Sequence, residues 1–225
     1  MSQPPAVIFD LDGTLTDSGP GIFASTRAAI ERLNALDGIE RPIPSPAELT
    51  WIIGPPLQES FAKLVGADRA ATMMTLYRER YATIGMFENT VYPGIVGALE
   101  QLKTSGFRLF VATSKLEIYA RPILEHFGLT GYFDAIYGSQ TDGTRAVKGE
   151  LLAYLLDRER FSASDRAVMI GDRKHDAIGA RAVGVASIGA LWGYGDAEEL
   201  TAAGADPLIE RPDQISAAVA TVFSR

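Results

Sequence analysis

The segment from Val7 to Ser18, with the sequence VIFDLDGTLTDS, constrains this chain more than any other. A run of β-forming residues leads directly into two carboxylates, and a glycine then ends the strand. Because successive side chains of a strand point to opposite faces, Asp10 and Asp12 would share one face. Two acids at the end of a buried strand repel each other and lose hydration, which is unfavourable unless a cation lies between them. Mg²⁺, which prefers oxygen ligands, is the expected ion, although an Asp-Gly pair alone also marks an ordinary turn.

Composition narrows the class of protein. The chain has 225 residues, of which 47% are hydrophobic and 22% charged, enough for one substantial core and a smaller second unit. It has no cysteine, which excludes disulfides, thiolate zinc sites and cysteine-nucleophile phosphatase chemistry. The net charge of −7 argues against a nucleic acid polymer as partner. No apolar run approaches the roughly 20 residues of a membrane span, and residues 1–5 lack the pattern of a signal peptide, so a cytoplasmic location is expected.

Hydrophobic periodicity predicts an α/β fold. Strand and helix patterns alternate from Val91 onwards, which is typical of a doubly wound parallel sheet covered on both faces. Residues 17–88 show helical patterns only. We therefore predict an α/β core from residues 1–16 and 89–225, interrupted by a helical insert at 17–88. The predicted strands are 6–10, 107–112, 135–138, 167–170, 185–188 and 207–209, and a helix is expected to begin near Lys115.

Three polar residues stand at predicted strand ends. Asp10, Thr113 and Asp172 each follow a buried apolar run. In doubly wound sheets, ligands bind beyond the carboxyl ends of the strands. These three segments, distant in sequence, therefore predict one site. Asp176 is four residues after Asp172, so the two would share a helix face if the helix has begun by Asp172. Taken alone, Thr113 could equally cap the next helix, and a single lysine such as Lys148 is usually solvent-exposed.

At this point the sequence resembles a known family. The string D-x-D-G-T-L-x-D-S at Asp10–Ser18, with Thr113, Lys148 and G-D-x-x-x-D at 171–176, is similar to the motifs of the haloacid dehalogenase superfamily of phosphohydrolases. The resemblance extends over nearly the whole chain and is closest to the phosphoglycolate phosphatase-like branch with a small helical cap. It implies a Mg²⁺-dependent phosphatase with a Rossmann-like core.

The resemblance also implies roles for individual residues. Asp10 would be the nucleophile that becomes an aspartyl-phosphate, and Asp12 the general acid and base. Lys148 would offset charge on the phosphoryl group, and Thr113, with Ser114 beside it, would bind phosphate. Asp10, the Asp12 backbone carbonyl and Asp172 would hold the Mg²⁺. Asp176 would lie behind them, against Lys148.

Other segments carry weaker signals. Gly54, Pro55, Pro56 and Leu57 form a loop that in the resembling family reaches the substrate and helps to select it. Residues 192–195 follow a strand end and would either line the entrance or pack. The roles of Lys115, Arg145, Arg173 and His175 stay open.

The substrate is not fixed by these residues. The resemblance favours 2-phosphoglycolate, with nucleoside 5′-monophosphates and sugar phosphates as alternatives. A phosphomutase is disfavoured because Ile22 occupies a position where the mutases carry histidine. A receiver-like phosphoacceptor or a silent regulatory protein is the non-enzymatic alternative, but a receiver would be about half this length and lack the insert. The partner would be a small phosphorylated metabolite, and the chain a monomer or homodimer.

Overall fold

The computed structural model describes residues 3–161 and 166–224. In chain order its strands are β1 (Ala6–Phe9), β2 (Thr16–Asp17), β3 (Thr90–Val91), β4 (Arg108–Leu116), β5 (Ala135–Ser139), β6 (Ala167–Gly171), β7 (Ala186–Ala190) and β8 (Leu208–Ile209). The helices are α1 (Gly19–Asp37), α2 (Leu57–Val65), α3 (Ala70–Tyr81), α4 (Ile95–Thr104), α5 (Glu117–His126), α6 (Lys148–Arg158), α7 (Lys174–Ala182), α8 (Ala197–Ala203) and α9 (Ile215–Phe223).

Two compact units make up the chain. One consists of residues 1–16 and 91–225, and the other of residues 17–90. The first contains the six-stranded sheet with the order β5-β4-β1-β6-β7-β8, in which each neighbouring pair is parallel. The predicted α/β fold with a doubly wound parallel sheet is therefore confirmed.

The centre of the sheet is fully buried. All four residues of β1 have no exposed surface, because β4 and β6 flank it and helices cover both faces. A core of apolar side chains from β1, β4, β6 and α6 lies on one face, including Ile8, Phe110, Leu152 and Met169. Its continuous hydrophobic strands are those expected where both faces of a parallel sheet are covered.

Strand register brings the polar strand ends together. Phe9 of β1 is paired with Val111 of β4 and with Ile170 of β6. The residues that follow these three therefore emerge at the same edge of the sheet. This is also where the strand order reverses around β1, which is the usual ligand-binding position in such folds.

The strand β4 is longer than predicted. It runs to Leu116, with a register shift against β5 between Thr113 and Leu116, and α5 begins only at Glu117. The expectation that the strand ends at Ala112 and a helix begins near Lys115 was therefore wrong. Backbone pairing with Ser139 of β5 extends the strand, and local periodicity contains no information about that contact.

The second unit is helical. Its helix α1 packs along α3, and the backbone of Gly21 lies so close to the Gly85 carbonyl that a Cβ on Gly21 would overlap it. Arg80 ties the unit together by donating to both carboxylate oxygens of Glu88, at 2.7 and 2.9 Å, and to Ser25. The segment Gly54–Pro56 directly precedes α2, and Gly54 has a φ of 107°.

None of the helices in the described residues is both long enough and apolar enough to cross a membrane.

Candidate active site

Lys148 is a buried cation at the carboxyl edge of the sheet. It is the first residue of α6, and its side chain is 3% exposed. Its Nζ lies 3.0 Å from Asp10 Oδ1 and 2.8 Å from Asp176 Oδ1, and it donates to the Ala112 carbonyl at 2.8 Å. Two carboxylate oxygens and one carbonyl oxygen therefore surround the ammonium group. Burial alone would lower the pKa of Lys148, but the Asp10 and Asp176 carboxylates outweigh it and raise that pKa, so the side chain stays charged.

Three carboxylates meet beside this lysine. Within the described part of the chain, Asp10, Asp172 and Asp176 form a cluster in which one oxygen of each lies within 4.8 Å of the others. Asp172 has no exposed surface, and it accepts hydrogen bonds from Thr14 Oγ1 at 3.0 Å and from the Tyr194 N–H at 2.8 Å. The formal charge of three acids and one lysine is −2. A divalent cation would balance it.

The pKa values of the cluster reflect this excess of negative charge. Burial raises the pKa of Asp172 well above its ordinary value, and the neighbouring Asp176 and Asp10 carboxylates raise it further. Burial likewise raises the pKa of Asp10, although the Lys148 ammonium opposes the effect. Each acid is thus costly to ionise here without an added cation.

The backbone around Asp172 is shaped for close approach. A Cβ on Gly13, whose φ is +86°, would lie 2.6 Å from Asp172 Cγ, and Cβ atoms on Gly193 and Gly195 would also collide with Asp172. Glycine at these positions lets two loops close around the carboxylate. All-oxygen donors with a net charge of −2 are the donor set that suits Mg²⁺. The residues present therefore fit the expected ion.

The segment Thr113–Lys115 forms the bulge in β4. Thr113 is 1% exposed, and its Oγ1 accepts a hydrogen bond from the Lys115 N–H at 3.2 Å. Ser139 Oγ donates to the Ser114 carbonyl at 2.7 Å, which holds the bulge against β5. The hydrogen bond from the Lys115 N–H thus orients the Thr113 hydroxyl group, and the hydroxyl proton can be donated to an anion. Thr113 does not cap α5, because that helix begins at Glu117 with Leu116 at its N-cap position and no side-chain cap. Phosphate binding by Thr113 stays a prediction.

Asp12 lies apart from the carboxylate cluster. Its Oδ2 pairs with Lys115 Nζ at 2.9 Å, and the two side chains are only 16% and 7% exposed. Local sequence patterns do not predict this contact, since it depends on the bulge. The expected metal contact through the Asp12 backbone carbonyl stays a prediction.

Two of the residues with open roles, Arg173 and Arg145, pair with acids outside the carboxylate cluster. Arg173 pairs with Glu199 at 2.8 Å, which joins the start of α7 to α8. Arg145 lies 3.5 Å from Glu117 and stacks on Tyr154 at 4.5 Å. His175 is half-buried, and burial lowers its pKa.

Trp192, in the segment that was expected to line the entrance or to pack, donates its Nε1–H to the Thr14 carbonyl at 3.0 Å. Gly54–Leu57 belongs to the helical unit, and its part in substrate selection stays a prediction.

Comparison with known proteins finds a matching family model and several similar proteins. Residues 7–190 match the family model described as haloacid dehalogenase-like hydrolase. A 5′-nucleotidase of Pseudomonas aeruginosa is 46% identical over 200 residues, covering 88% of this chain and 87% of that protein. A phosphoglycolate phosphatase of Xanthomonas campestris is 32% identical over 224 residues, covering 96% of each.

A solved structure with a different name is also similar. The structure of the Mycobacterium tuberculosis Protein Tyrosine Kinase A superimposes with a TM-score of 0.82 at 39% identity, covering 96% of this chain and 98% of that one. This chain spans 65% of the full-length kinase sequence.

Proposed function

Because this chain belongs to the haloacid dehalogenase-like hydrolase family and is a phosphoric monoester hydrolase, we propose that it hydrolyses a small phosphomonoester through a phosphorylated Asp10, with Mg²⁺ as cofactor. One observation carries the proposal. The side chains of Asp10, Lys148 and Asp172 meet at the switch point of the sheet, in an acid cluster whose charge calls for a divalent cation. Phosphate monoesters hydrolyse extremely slowly without such a constellation.

The residues divide the reaction into two displacements. In the first, an Asp10 carboxylate oxygen attacks phosphorus, the bond to the leaving oxygen breaks, and Asp12 gives that oxygen a proton. In the second, Asp12 takes a proton from water, the water oxygen attacks phosphorus, and inorganic phosphate leaves Asp10. Lys148 keeps the nucleophile oriented and offsets charge on the phosphoryl group, and Thr113 and Ser114 would bind its oxygens. When bound by Asp10, Asp172 and the Asp12 carbonyl, Mg²⁺ would stabilise negative charge on the transferring group.

The substrate class is the finer part of the proposal. The relative named 5′-nucleotidase shares 46% identity with this chain, and the one named phosphoglycolate phosphatase shares 32%. Identity therefore favours a nucleoside 5′-monophosphate over 2-phosphoglycolate, which was the first expectation from the motifs. Sugar phosphates remain an alternative within the same chemistry.

A phosphatase panel tests the proposal. Release of inorganic phosphate from nucleoside 5′-monophosphates, 2-phosphoglycolate, sugar phosphates and phosphotyrosine would be compared as kcat/KM, with Mg²⁺ and with chelator. Asp10→Asn should abolish turnover, whereas Asp213→Asn, which changes an exposed carboxylate of the same unit, should not. Full activity in chelator, or substantial activity of Asp10→Asn, would contradict the proposal.

A second assay tests for the activity that the name of the Mycobacterium tuberculosis Protein Tyrosine Kinase A suggests. Incubation with ATP and a tyrosine peptide measures phosphoryl transfer to an acceptor other than water. We expect hydrolysis to dominate. Peptide phosphorylation that outruns phosphate release would overturn this assignment.

A further inference from the structure

We infer that Lys115 is a positioning residue, which holds the Asp12 carboxylate where it can act on the leaving oxygen and then on water. This inference rests on the proposed function, in which Asp12 is the general acid and base. Lys115 lies in neither the carboxylate cluster nor the pair formed by Lys148 and Asp10. Its Nζ lies 2.9 Å from Asp12 Oδ2.

The backbone directs Lys115 to this position through the bulge of β4. Between Thr113 and Leu116 the strand advances by three residues while its partner β5 advances by one, from Gly138 to Ser139. Ser114 and Lys115 are thus the extra residues, displaced from the ladder. Bulges of this kind re-aim side chains and occur frequently next to active sites.

Two contacts from β5 hold the bulge in place. Ser139 Oγ donates to the Ser114 carbonyl at 2.7 Å. Gly138 lies so close to the bulge that a Cβ there would be 2.8 Å from the Lys115 carbonyl oxygen and 2.7 Å from Glu117 Cα. The position of Lys115 is therefore built into the sheet, and it differs from that of a long side chain that pairs by chance at the surface.

The pair leaves one oxygen of Asp12 available for proton transfer. Lys115 occupies Oδ2, whereas Oδ1 is buried and accepts no hydrogen bond from the described residues. When Asp12 has given its proton to the leaving oxygen, the resulting carboxylate is held by the Lys115 ammonium. It then meets water in the second displacement with its geometry unchanged. Loss of Lys115 should thus slow dephosphorylation of Asp10 even where the leaving group needs no acid.

Pre-steady-state kinetics with p-nitrophenyl phosphate separates the two displacements. p-Nitrophenolate is a good leaving group, so phosphorylation of Asp10 needs little help from Asp12. Lys115→Met should therefore show a burst of about one p-nitrophenolate per enzyme. A steady state slower than wild type by about 10²-fold, the size expected for a misplaced catalytic group, should follow. The phosphorylated enzyme should accumulate, as measured by intact mass. With an alkyl phosphate, both displacements should be slow and no burst should appear.

Controls distinguish positioning from general damage. Lys115→Arg should restore the steady-state rate by keeping a cation beside Asp12. Ser139→Ala, which loosens the bulge, should also give a burst followed by a slower steady state. Its steady-state rate should fall by a smaller factor than that of Lys115→Met. Lys103→Met removes a more exposed lysine that pairs with Asp134 at 3.2 Å in the same unit, and it should leave both phases unchanged. The melting temperature of each variant reports folding, and if Lys115→Met does not fold, Ser139→Ala carries the test.

Three results would overturn the inference. In the first, the rates of the burst and of the steady state in Lys115→Met fall by the same factor. In the second, neither rate changes. The third is a wild-type enzyme that never carries phosphate on Asp10 under any condition, which would remove the proposed function as well. The first two leave that function intact, because the wild type would still form the phosphorylated enzyme.

Discussion

Replacing Lys148 by methionine tests the electrostatics of the site directly. The change removes the ammonium that contacts Asp10 and Asp176 at 3.0 and 2.8 Å, and it leaves three buried carboxylates without a counter-charge. Breaking a buried ion pair by removing one partner costs about 3–5 kcal/mol. At roughly 2–4 °C per kcal/mol for a chain of this size, Lys148→Met should lower the melting temperature by about 6–20 °C in chelator.

A second variant shows whether charge is the cause. In the Lys148→Met background, Asp176→Asn removes one of the uncompensated carboxylates while keeping a side-chain acceptor for the Arg173 N–H, which Asp176 Oδ2 now accepts at 3.2 Å. The double variant should therefore be more stable than Lys148→Met alone. The expected coupling between directly contacting residues is about 0.5–3 kcal/mol.

The assay is urea denaturation of the four proteins of this cycle, in chelator at pH 8. Because buried acids can escape part of the penalty by protonating, the loss in Lys148→Met should shrink at pH 5. A double variant as unstable as Lys148→Met, or a loss that does not depend on pH, would refute the charge argument. Loss of packing around the lysine stem would then be the cause.

Further predictions concern individual contacts. Gly13→Ala should abolish activity and lower stability, since its φ of +86° and the adjacent Asp172 carboxylate leave no place for a Cβ; retained Mg²⁺-dependent activity would contradict this. Thr113→Val should raise KM or lower kcat with little change in melting temperature, because the hydroxyl is available to a phosphoryl oxygen; unchanged kinetics would argue against phosphate binding. In the helical unit, hydrogen bonds from Arg80 lower the pKa of Glu88, so their stabilisation is present above the ordinary glutamate pKa and lost as pH falls through the lowered one. Arg80→Met should thus lower the free energy of unfolding by under about 1 kcal/mol at pH 7. In thermal melts below pH 4 the loss of stability should be smaller.

The sequence predicted the site through strand ends. Apolar runs that finish in Asp10 and Asp172 are local patterns, and the rule that ligands bind beyond the carboxyl ends of parallel strands joins them. The helix-face argument for Asp172 and Asp176 was wrong, because α7 begins only at Lys174 and Asp172 lies before it, at the end of β6. The strand-end inferences needed only the order of the elements. The register between Phe9 and Ile170 then brings the acids together.

The contacts that were not predicted depend on pairing between distant segments. The Lys115–Asp12 pair exists because Ser139 of β5 pairs beyond the bulge, and a strand's end is set by its partner as much as by its own residues. The hydrogen bonds from the Tyr194 N–H to Asp172 and from Trp192 to Thr14 come from the loop after β7. Neither residue type nor spacing indicates which backbone group such a loop presents.

The acid cluster also predicts how metal and pH act together on stability. Burial and neighbouring carboxylates raise the pKa values of Asp10 and Asp172, so these two acids bind more protons in the folded protein than in the unfolded chain above about pH 4, the ordinary aspartate range. Without metal, their contribution to stability should therefore fall as pH rises from there through the raised values. Mg²⁺ binds the ionised acids, so its stabilising effect should grow over the same range. At 100 times its dissociation constant the ion contributes about 2.7 kcal/mol, or roughly 5–11 °C in melting temperature. Asp172→Asn should show a smaller Mg²⁺ shift and a flatter pH dependence in chelator, and an equal Mg²⁺ shift at pH 5 and pH 8 in the wild type would show that these acids do not hold the ion.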